Sequence, residues 1–193
     1  MAFWSTPKQG EDPKRAFRFR LSIGSLGFVW YAKTVDRPSF TVETGEHKFL
    51  NHTFYYPGHV NWTEVTATLV DPAEPDAAKL LNQIVELSGY GPPNSELDQT
   101  TIGKYAGVQA LGSVRIEMLP ASAPGQESGA AKGGAGQTPD AIETWELRNA
   151  FITGIEHSQL DYSSEDLATI EVKFRYDWAE CITADGTDIY EGP

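Results

Sequence analysis

The chain has 193 residues, 40% of them hydrophobic and 11% aromatic, which is enough apolar material for one domain with a core. Its formal net charge of −12 disfavours a nucleic-acid-binding role, because such a body repels phosphate. A single cysteine excludes an intrachain disulfide, and no apolar run reaches the roughly 18 residues of a membrane span.

Strands dominate the predicted N-terminal half. Residues 1–14 are polar and predict a flexible arm. Period-two alternation then predicts strands over 17–23, 28–35 and 62–70. The aromatic segment 46–62 predicts an extended arm or hairpin that ends at a turn formed by Pro57 and Gly58.

The apolar spacing changes to a helical period only once, over approximately residues 76–88. The apolar residues at this spacing are Ala77, Leu80, Leu81, Ile84 and Leu87. Pro75 suits the first helical turn and Gly89 suits a C-terminal stop. The sequence therefore predicts one α-helix.

The C-terminal half returns to strand patterns. Residues 108–119 alternate and predict a strand. Residues 120–140 are rich in Gly and Ala, and we expect a flexible insertion within one domain, because each flank is too small to close a sheet alone. The segment 144–162 predicts a strand that bulges near Gly154, and the tail 182–193 is acidic.

The segment Thr169–Cys181 alternates throughout and predicts a single strand with one buried face. The predicted buried side chains are Ile170, Val172, Phe174, Tyr176 and Trp178. The opposite face carries four charges, Glu171, Lys173, Arg175 and Asp177. A plain solvated surface and a contact with a neighbour of complementary charge are both open at this point.

Together these elements predict one mainly β domain over residues 1–193. About seven strands and one helix fit two packed antiparallel sheets, as a sandwich or a barrel, with the helix packed on them.

Residues that carry chemistry are sparse. His47, His52 and His59 suggest a metal site, but in an extended segment His47 and His59 share a face while His52 takes the other. Carboxylate pairs such as Glu165 and Asp166 fall in predicted turns. We expect no cofactor, no metal and no enzymatic activity, with a structural or binding role instead. A monomeric ligand-binding barrel and a metal-dependent hydrolase that uses the three histidines are the alternatives.

The sequence resembles a known family. The segment "WELRNAFITGIEHSQLDYSSEDLATIEVKFRYDWAEC" resembles the C-terminal half of tail tube proteins of contractile-tailed bacteriophages, with their "Y-S-x-E-D-L" turn and "T-I-E-V-x-F-R-Y-D-W-A" strand. "FRFRLSIGSLGFVWYAKTVDRPSF" is similar to the first hairpin of that family, and "KFLNHTFYYPGHVNWTEVTATLVDP" to its long arm and following strand. The resemblance covers roughly residues 15–118 and 142–181.

The resemblance implies a structural virion protein with two packed antiparallel sheets and one helix. Six copies would form a ring, and stacked rings would form the inner tail tube that conducts the genome. The implied partners are the protein itself, the tail sheath protein, and the baseplate and tail terminator proteins. Phage DNA would be cargo that slides without sticking, no membrane anchor is expected, and the protein would reside in the virion tail after assembly in the host cytoplasm. A baseplate protein that initiates the tube, and the tube of a type VI secretion or other contractile injection system, are alternatives with the same fold.

The resemblance also implies where subunits touch. The candidates for inter-ring or inter-subunit contact lie in the arm and are Glu46, Lys48, Phe49, Leu50, Phe54, Tyr55 and Tyr56. The charged face made by Glu171, Lys173, Arg175 and Asp177 would meet a neighbouring subunit or line the lumen. The insertion 120–140 departs from the family pattern, and we expect it outside the lumen or at the ring edge.

Overall fold

A computed structural model describes residues 14–91, 101–119, 141–163, 165–183 and 188–189. The predicted insertion 120–140 and all of the predicted N-terminal arm except Lys14 lie outside these ranges.

Within the described ranges the chain forms twelve strands and two helices. The strands are β1 (Phe19–Ile23), β2 (Gly27–Phe28), β3 (Ala32–Val35), β4 (Phe40–Phe49), β5 (His52–Trp62), β6 (Val65–Val70), β7 (Val114–Met118), β8 (Glu143–Arg148), β9 (Phe151–His157), β10 (Thr169–Arg175), β11 (Trp178–Thr183) and β12 (Asp188–Ile189). The helices are α1 (Ala77–Leu87) and α2 (Lys104–Leu111).

The described strands form three antiparallel sheets. The first sheet has six strands in the order β12-β11-β8-β7-β1-β2, and the second has four in the order β3-β6-β10-β9. The third is the isolated hairpin β4-β5. The prediction of a mainly β fold with packed antiparallel sheets is confirmed, and the sheets do not close into a barrel.

The inner faces of the first two sheets enclose the core, because alternate residues of each strand point inward. The fully buried side chains of the first sheet include Leu21, Ile23 and Val114. Those of the second sheet include Val65, Leu69, Ile170, Val172 and Phe174. Phe174 is the largest of the fully buried side chains and therefore the main filler between the two layers.

Helix α1 lies where the sequence predicts, but Pro75 precedes the N-cap residue Asp76 and so lies outside the first helical turn. The Asp76 carboxylate accepts a 2.8 Å hydrogen bond from the Lys79 N–H and so caps the N-terminus. Gly89 follows the last turn with a φ of +105°, a conformation that glycine adopts without strain. The inward-facing residues Ala77, Leu81 and Ile84 pack on the core.

Helix α2 was not predicted, and the predicted strand 108–119 is wrong over its first half. Residues Lys104–Leu111 are helical, and the helix ends at Gly112, which has a φ of +74°. A Cβ at Gly112 would lie 3.1 Å from the Cα of Gly24, so glycine also permits the close approach of the neighbouring turn. The strand begins only at Val114.

The segment Thr169–Cys181 is also not one strand. Its first part is β10 in the second sheet, and its last part belongs to β11 in the first sheet. The chain crosses between the sheets at Asp177, and inward-facing positions then shift to Ala179 and Cys181. Trp178, predicted to be buried, is therefore 36% exposed.

The predicted bulge near Gly154 is confirmed. Lys173 pairs with Gly154 but Phe174 pairs with Ile152, so β9 has one extra residue at this point. The predicted strand 144–162 is divided into β8 and β9 by a corner at Asn149, which has a φ of 56°.

Part of the segment predicted as an acidic tail lies in the first sheet. Ile182 and Thr183 complete β11, and Asp188–Ile189 pairs with β11 as a short edge strand. Neither helix of the described ranges has the length and apolar character needed to cross a bilayer.

Truncation of the main core side chain should destabilise the fold. Phe174→Ala is expected to lower the free energy of unfolding by roughly 3–5 kcal/mol, because it leaves a cavity between the sheets. Urea unfolding followed by tryptophan fluorescence measures this change. The neighbouring Arg175→Ala is the control and should change stability by no more than about 0.5 kcal/mol. Equal effects of the two substitutions would contradict this packing.

Candidate assembly site

The hairpin β4-β5, residues 40–62, is called the arm here. Every residue from Phe40 to Asn61 is exposed, so no described part of the chain covers either face of the hairpin. The base of the arm is fixed by an aromatic series in which the Phe40 and Trp62 rings are 5.1 Å apart and the Trp62 and Tyr176 rings 5.9 Å apart. The arm thus projects from a fixed base.

The arm turns at Leu50 and Asn51, and the predicted turn at Pro57 and Gly58 is wrong. Leu50 adopts a φ of 52°, and Phe49 pairs with His52 across the turn. Pro57 and Gly58 instead lie inside β5, beside a bulge. Pro57 is tolerated there because the arm has two edge strands and no central strand.

Gly58 is required by the bulge. A Cβ at this position would lie 3.0 Å from the backbone oxygen of Glu43 on the opposite strand. The Asn61 side-chain amide donates a 2.6 Å hydrogen bond to the Glu43 carboxylate on the same stretch. These contacts fix how the two strands twist between base and tip.

Cross-strand pairing sorts the outer half of the arm into two different faces. Directly opposed residues project to the same side. Here the pairs are Phe49 with His52, His47 with Phe54, and Gly45 with Tyr56. One face therefore carries the side chains His47, Phe49, His52, Phe54 and Tyr56 and is called the aromatic face.

The other face of the outer half carries Glu46 opposite Tyr55 and Lys48 opposite Thr53. The seven predicted contact residues of the arm thus lie on both faces and at the turn. The five apolar members are at least half exposed, with Phe54 at 50% and Leu50 at 87%. Such a concentration of exposed aromatic side chains is typical of a surface that another protein covers.

The hairpin changes which histidine side chains share a face. A single extended segment would put His47 and His52 on opposite faces, but the turn brings both to the aromatic face. His59 lies beside the bulge. Among the described residues, no three His, Cys, Asp or Glu side chains are grouped closely enough to hold a metal ion.

The four predicted residues of the charged face do not share one environment. The Lys173 ammonium contacts Glu156 on β9 and lies 3.6 Å from the Glu171 carboxylate. The hydrogen bond to Glu156 raises the pKa of Lys173. Arg175 is exposed at the end of β10. Much of this alternating charge is thus paired within the chain itself.

Asp177 forms several hydrogen bonds at the corner where the chain passes between the sheets. Its carboxylate accepts a 2.7 Å hydrogen bond from Lys104 of α2 and a 2.8 Å bond from the Asn149 side chain. Its own N–H donates to the Arg148 carbonyl oxygen at 3.0 Å. The hydrogen bond from Lys104 lowers the pKa of Asp177. This carboxylate therefore joins α2 to the β8-β9 corner.

A second exposed apolar surface lies in the loop between β9 and β10, where the sequence patterns predicted none. The β9-β10 loop, described over residues 158–163 and 165–168, exposes Leu160 (83%), Tyr162 and Leu167 (71%). Asp161 accepts hydrogen bonds from the Ser163 N–H at 2.9 Å and its hydroxyl at 2.8 Å, which shape a local turn. The bond from the Ser163 N–H lowers the pKa of Asp161. Leu160 and Tyr162 were predicted to lie in the strand 144–162, but β9 ends at His157, so both lie in the loop instead.

Solved structures with this fold come from contractile injection systems. A chain of the anti-feeding prophage baseplate structure matches with a TM-score of 0.59 and 13% identity, over 90% of this chain and 97% of that one. A chain of the anti-feeding prophage tube terminating cap also has a TM-score of 0.59, with 16% identity over 95% and 100% of the two chains. A chain of an extracellular contractile injection system structure, the PVC sheath/tube terminator in its extended state, has a TM-score of 0.56 and 19% identity over 90% and 99%.

The chain has the fold of contractile injection system components. The tube-protein fold expected from the sequence resemblance is therefore confirmed. No protein-family model and no curated protein matches the sequence.

The Asp177 corner should make a pH-dependent contribution to stability. Because its pKa is lowered on folding, the contribution is present above the ordinary aspartate pKa of about 3.9 and is lost as the pH falls through the folded value. Asp177→Asn should cost up to about 1 kcal/mol at pH 7, since the site is partly exposed and screened.

Urea unfolding at pH 7 and at pH 3 measures this effect, and the difference between wild type and variant should shrink at the lower pH. Asp36→Asn, a change at an exposed carboxylate, is the matched control. A loss of the same size at both pH values would refute the electrostatic role of Asp177.

Proposed function

We propose that this protein is a structural subunit of a contractile tail, in which six copies form a ring and stacked rings form the inner tube. The observation that carries this proposal is the arm. It presents apolar side chains on a body that has the fold of contractile injection system components.

Energetics favour a covered arm. Burying one large apolar side chain contributes roughly 1.5–3 kcal/mol, so five exposed ones represent a substantial driving force for association. The exposed residues are Phe49, Leu50, Phe54, Tyr55 and Tyr56. Tyrosine and phenylalanine are enriched where protein interfaces are fully buried. A ring multiplies each contact by its symmetry, so a modest contact per copy is sufficient.

The charge balance suits a conduit. A chain of net charge −12 builds an acidic assembly, and an acidic lumen repels phosphate so that DNA passes without sticking. The proposed partners are further copies of the chain, a sheath, a baseplate and a terminator. The proposed location is the virion tail, after assembly in a bacterial cytoplasm. In this role the protein acts through assembly and carries out no reaction.

A component at the end of a tube is the second candidate. It is favoured because two of the structural matches come from a baseplate and from a tube terminating cap, each with a TM-score of 0.59. Such a protein forms a ring but does not polymerise alone. The tube of a non-phage injection system would use the same surfaces with a protein cargo.

Negative-stain electron microscopy and mass photometry of the purified protein test the proposal. We expect rings with a central hole, alone or stacked, and masses near multiples of six times 21.2 kDa. Discrete rings that never stack would favour the end-component role. A uniform 21.2 kDa monomer at every concentration, also in the presence of preformed tube seeds, would contradict both roles.

Substitutions at the tip should abolish assembly without unfolding the body. Phe49→Ser with Leu50→Ser removes two exposed side chains from the arm, so the melting temperature should remain within a few degrees while the assembled fraction falls at least tenfold. Leu87→Ser is the matched control, because Leu87 is 70% exposed but lies on α1. Assembly of the tip variant at the wild-type level would exclude the arm as the contact element.

A further inference from the structure

We propose that the arm tip of one copy docks on the β9-β10 loop of a second copy in the adjacent ring. This inference rests on the proposed function and names the surface that receives the arm. The tip comprises residues 47–52, and the loop comprises residues 158–163 and 165–168.

The arm and the loop lie at opposite ends of the same strand. The base of the arm adjoins the C-terminal end of β10, where Phe174 pairs with Val65 and the Tyr176 ring contacts Trp62. The loop adjoins the N-terminal end, where the Ser158 N–H donates to the Thr169 carbonyl at 2.9 Å. Seven residues of β10 separate the two ends by roughly 20 Å. A subunit therefore carries an arm at one end and the loop at the other.

The lengths allow a neighbouring copy to be reached. Strand β4 has 10 residues, which extend about 33 Å at the usual rise per residue. Because the arm is exposed along its whole length, it does not fold back over its own subunit. A contact between different ends of identical copies is heterologous, and along an axis it generates an open stack.

The two surfaces are chemically matched. The loop offers the apolar side chains Leu160, Tyr162 and Leu167. It also carries Asp161, Glu165 and Asp166, with no Lys or Arg anywhere in 158–168.

The arm offers the apolar complement at its tip, Phe49 and Leu50. Lys48 is the only Lys or Arg in residues 40–62, and it directly precedes these two residues. The arm's own carboxylates lie nearer its base: Glu43 is bonded to Asn61, and Glu46 shares the face of Lys48. A lone cation beside apolar residues complements a loop that combines carboxylates with exposed apolar side chains.

Cysteine cross-linking in assembled protein tests the contact directly. Cys181 is buried and would be changed to Ala so that added cysteines react alone. Leu50→Cys protein is mixed with Leu160→Cys protein, allowed to assemble, and treated with a short bis-maleimide. We expect a covalent dimer from the mixture. The control pair, Leu50→Cys with Leu87→Cys, should give at least tenfold less.

A charge exchange supplies an independent measurement. Lys48→Glu should raise the concentration for half-assembly about two- to fivefold, as expected for one exposed ion pair per contact. Glu165→Lys should restore assembly of the Lys48→Glu protein, and Lys79→Glu, with the same change of charge on α1, should have no effect.

These experiments distinguish failure of the arm–loop contact from failure of the proposed assembly role. If wild-type protein forms rings or tubes but the tip and loop cysteines do not cross-link, the loop is not the receiving surface, although the assembly role stands. Assembly that tolerates Lys48→Glu without change would also overturn the proposed contact. If wild-type protein forms no assembly at any concentration, also in the presence of preformed tube seeds, both proposals fail.

Discussion

A two-stranded hairpin in water has no third strand to complete its hydrogen bonding and no layer to cover its side chains, and such a structure is marginally stable alone. The arm is in this condition along its whole length, because every residue from Phe40 to Asn61 is exposed. Among the described strands, none pairs with either outer edge of the arm, and open strand edges are normally shielded in soluble proteins. The arm therefore depends on the body to hold its base and on a partner to cover its faces.

The body holds the base of the arm in place but does not cover it. Trp62 lies between Phe40 of the arm and Tyr176 of the core, so the direction of the arm is coupled to the packed sheets. Burial raises the pKa of Tyr176 to about 12, so this phenol stays neutral at any ordinary pH. The Asp177 corner next to it ties β11, α2 and the β8-β9 turn together. A projecting element on a fixed base can be ordered by a partner at a lower entropic cost than a free segment.

Sequence patterns predicted the elements whose local and tertiary preferences agree. Helix α1 was found because its apolar spacing and the glycine stop at Gly89 indicate the same segment. The core face of β10 was found because Ile170, Val172 and Phe174 alternate strictly with charged residues. All three are fully buried.

The misses have a common physical cause, which is that distant residues decide the local structure. At Asp177 the chain passes from β10 to β11, but the alternation of charged and apolar residues continues through this point. Only the hydrogen bonds from Lys104 and Asn149 show that Asp177 lies at a corner. Pro57 and Gly58 form a turn in most contexts, but here the opposing Glu43 makes them a bulge. Likewise the pairing of Lys173 with Glu156 depends on a strand that lies 17 residues away in sequence.

The exposure of the aromatic arm was predictable, since its seven candidate contact residues follow from its composition and from the family likeness. The loop with Leu160 was not, because only the folded chain places it opposite to the arm.

Hydrogen–deuterium exchange of the arm, before and after assembly, tests the central claim most directly. If another copy completes the arm, assembly should slow hydrogen exchange throughout this hairpin. Amides of residues 40–62 should exchange within seconds in the isolated subunit, while those of β6 and β10 remain protected, and the arm should gain at least a hundredfold protection in the assembled state. Equal protection of the arm in both states, or rapid exchange in assembled particles, would contradict the account.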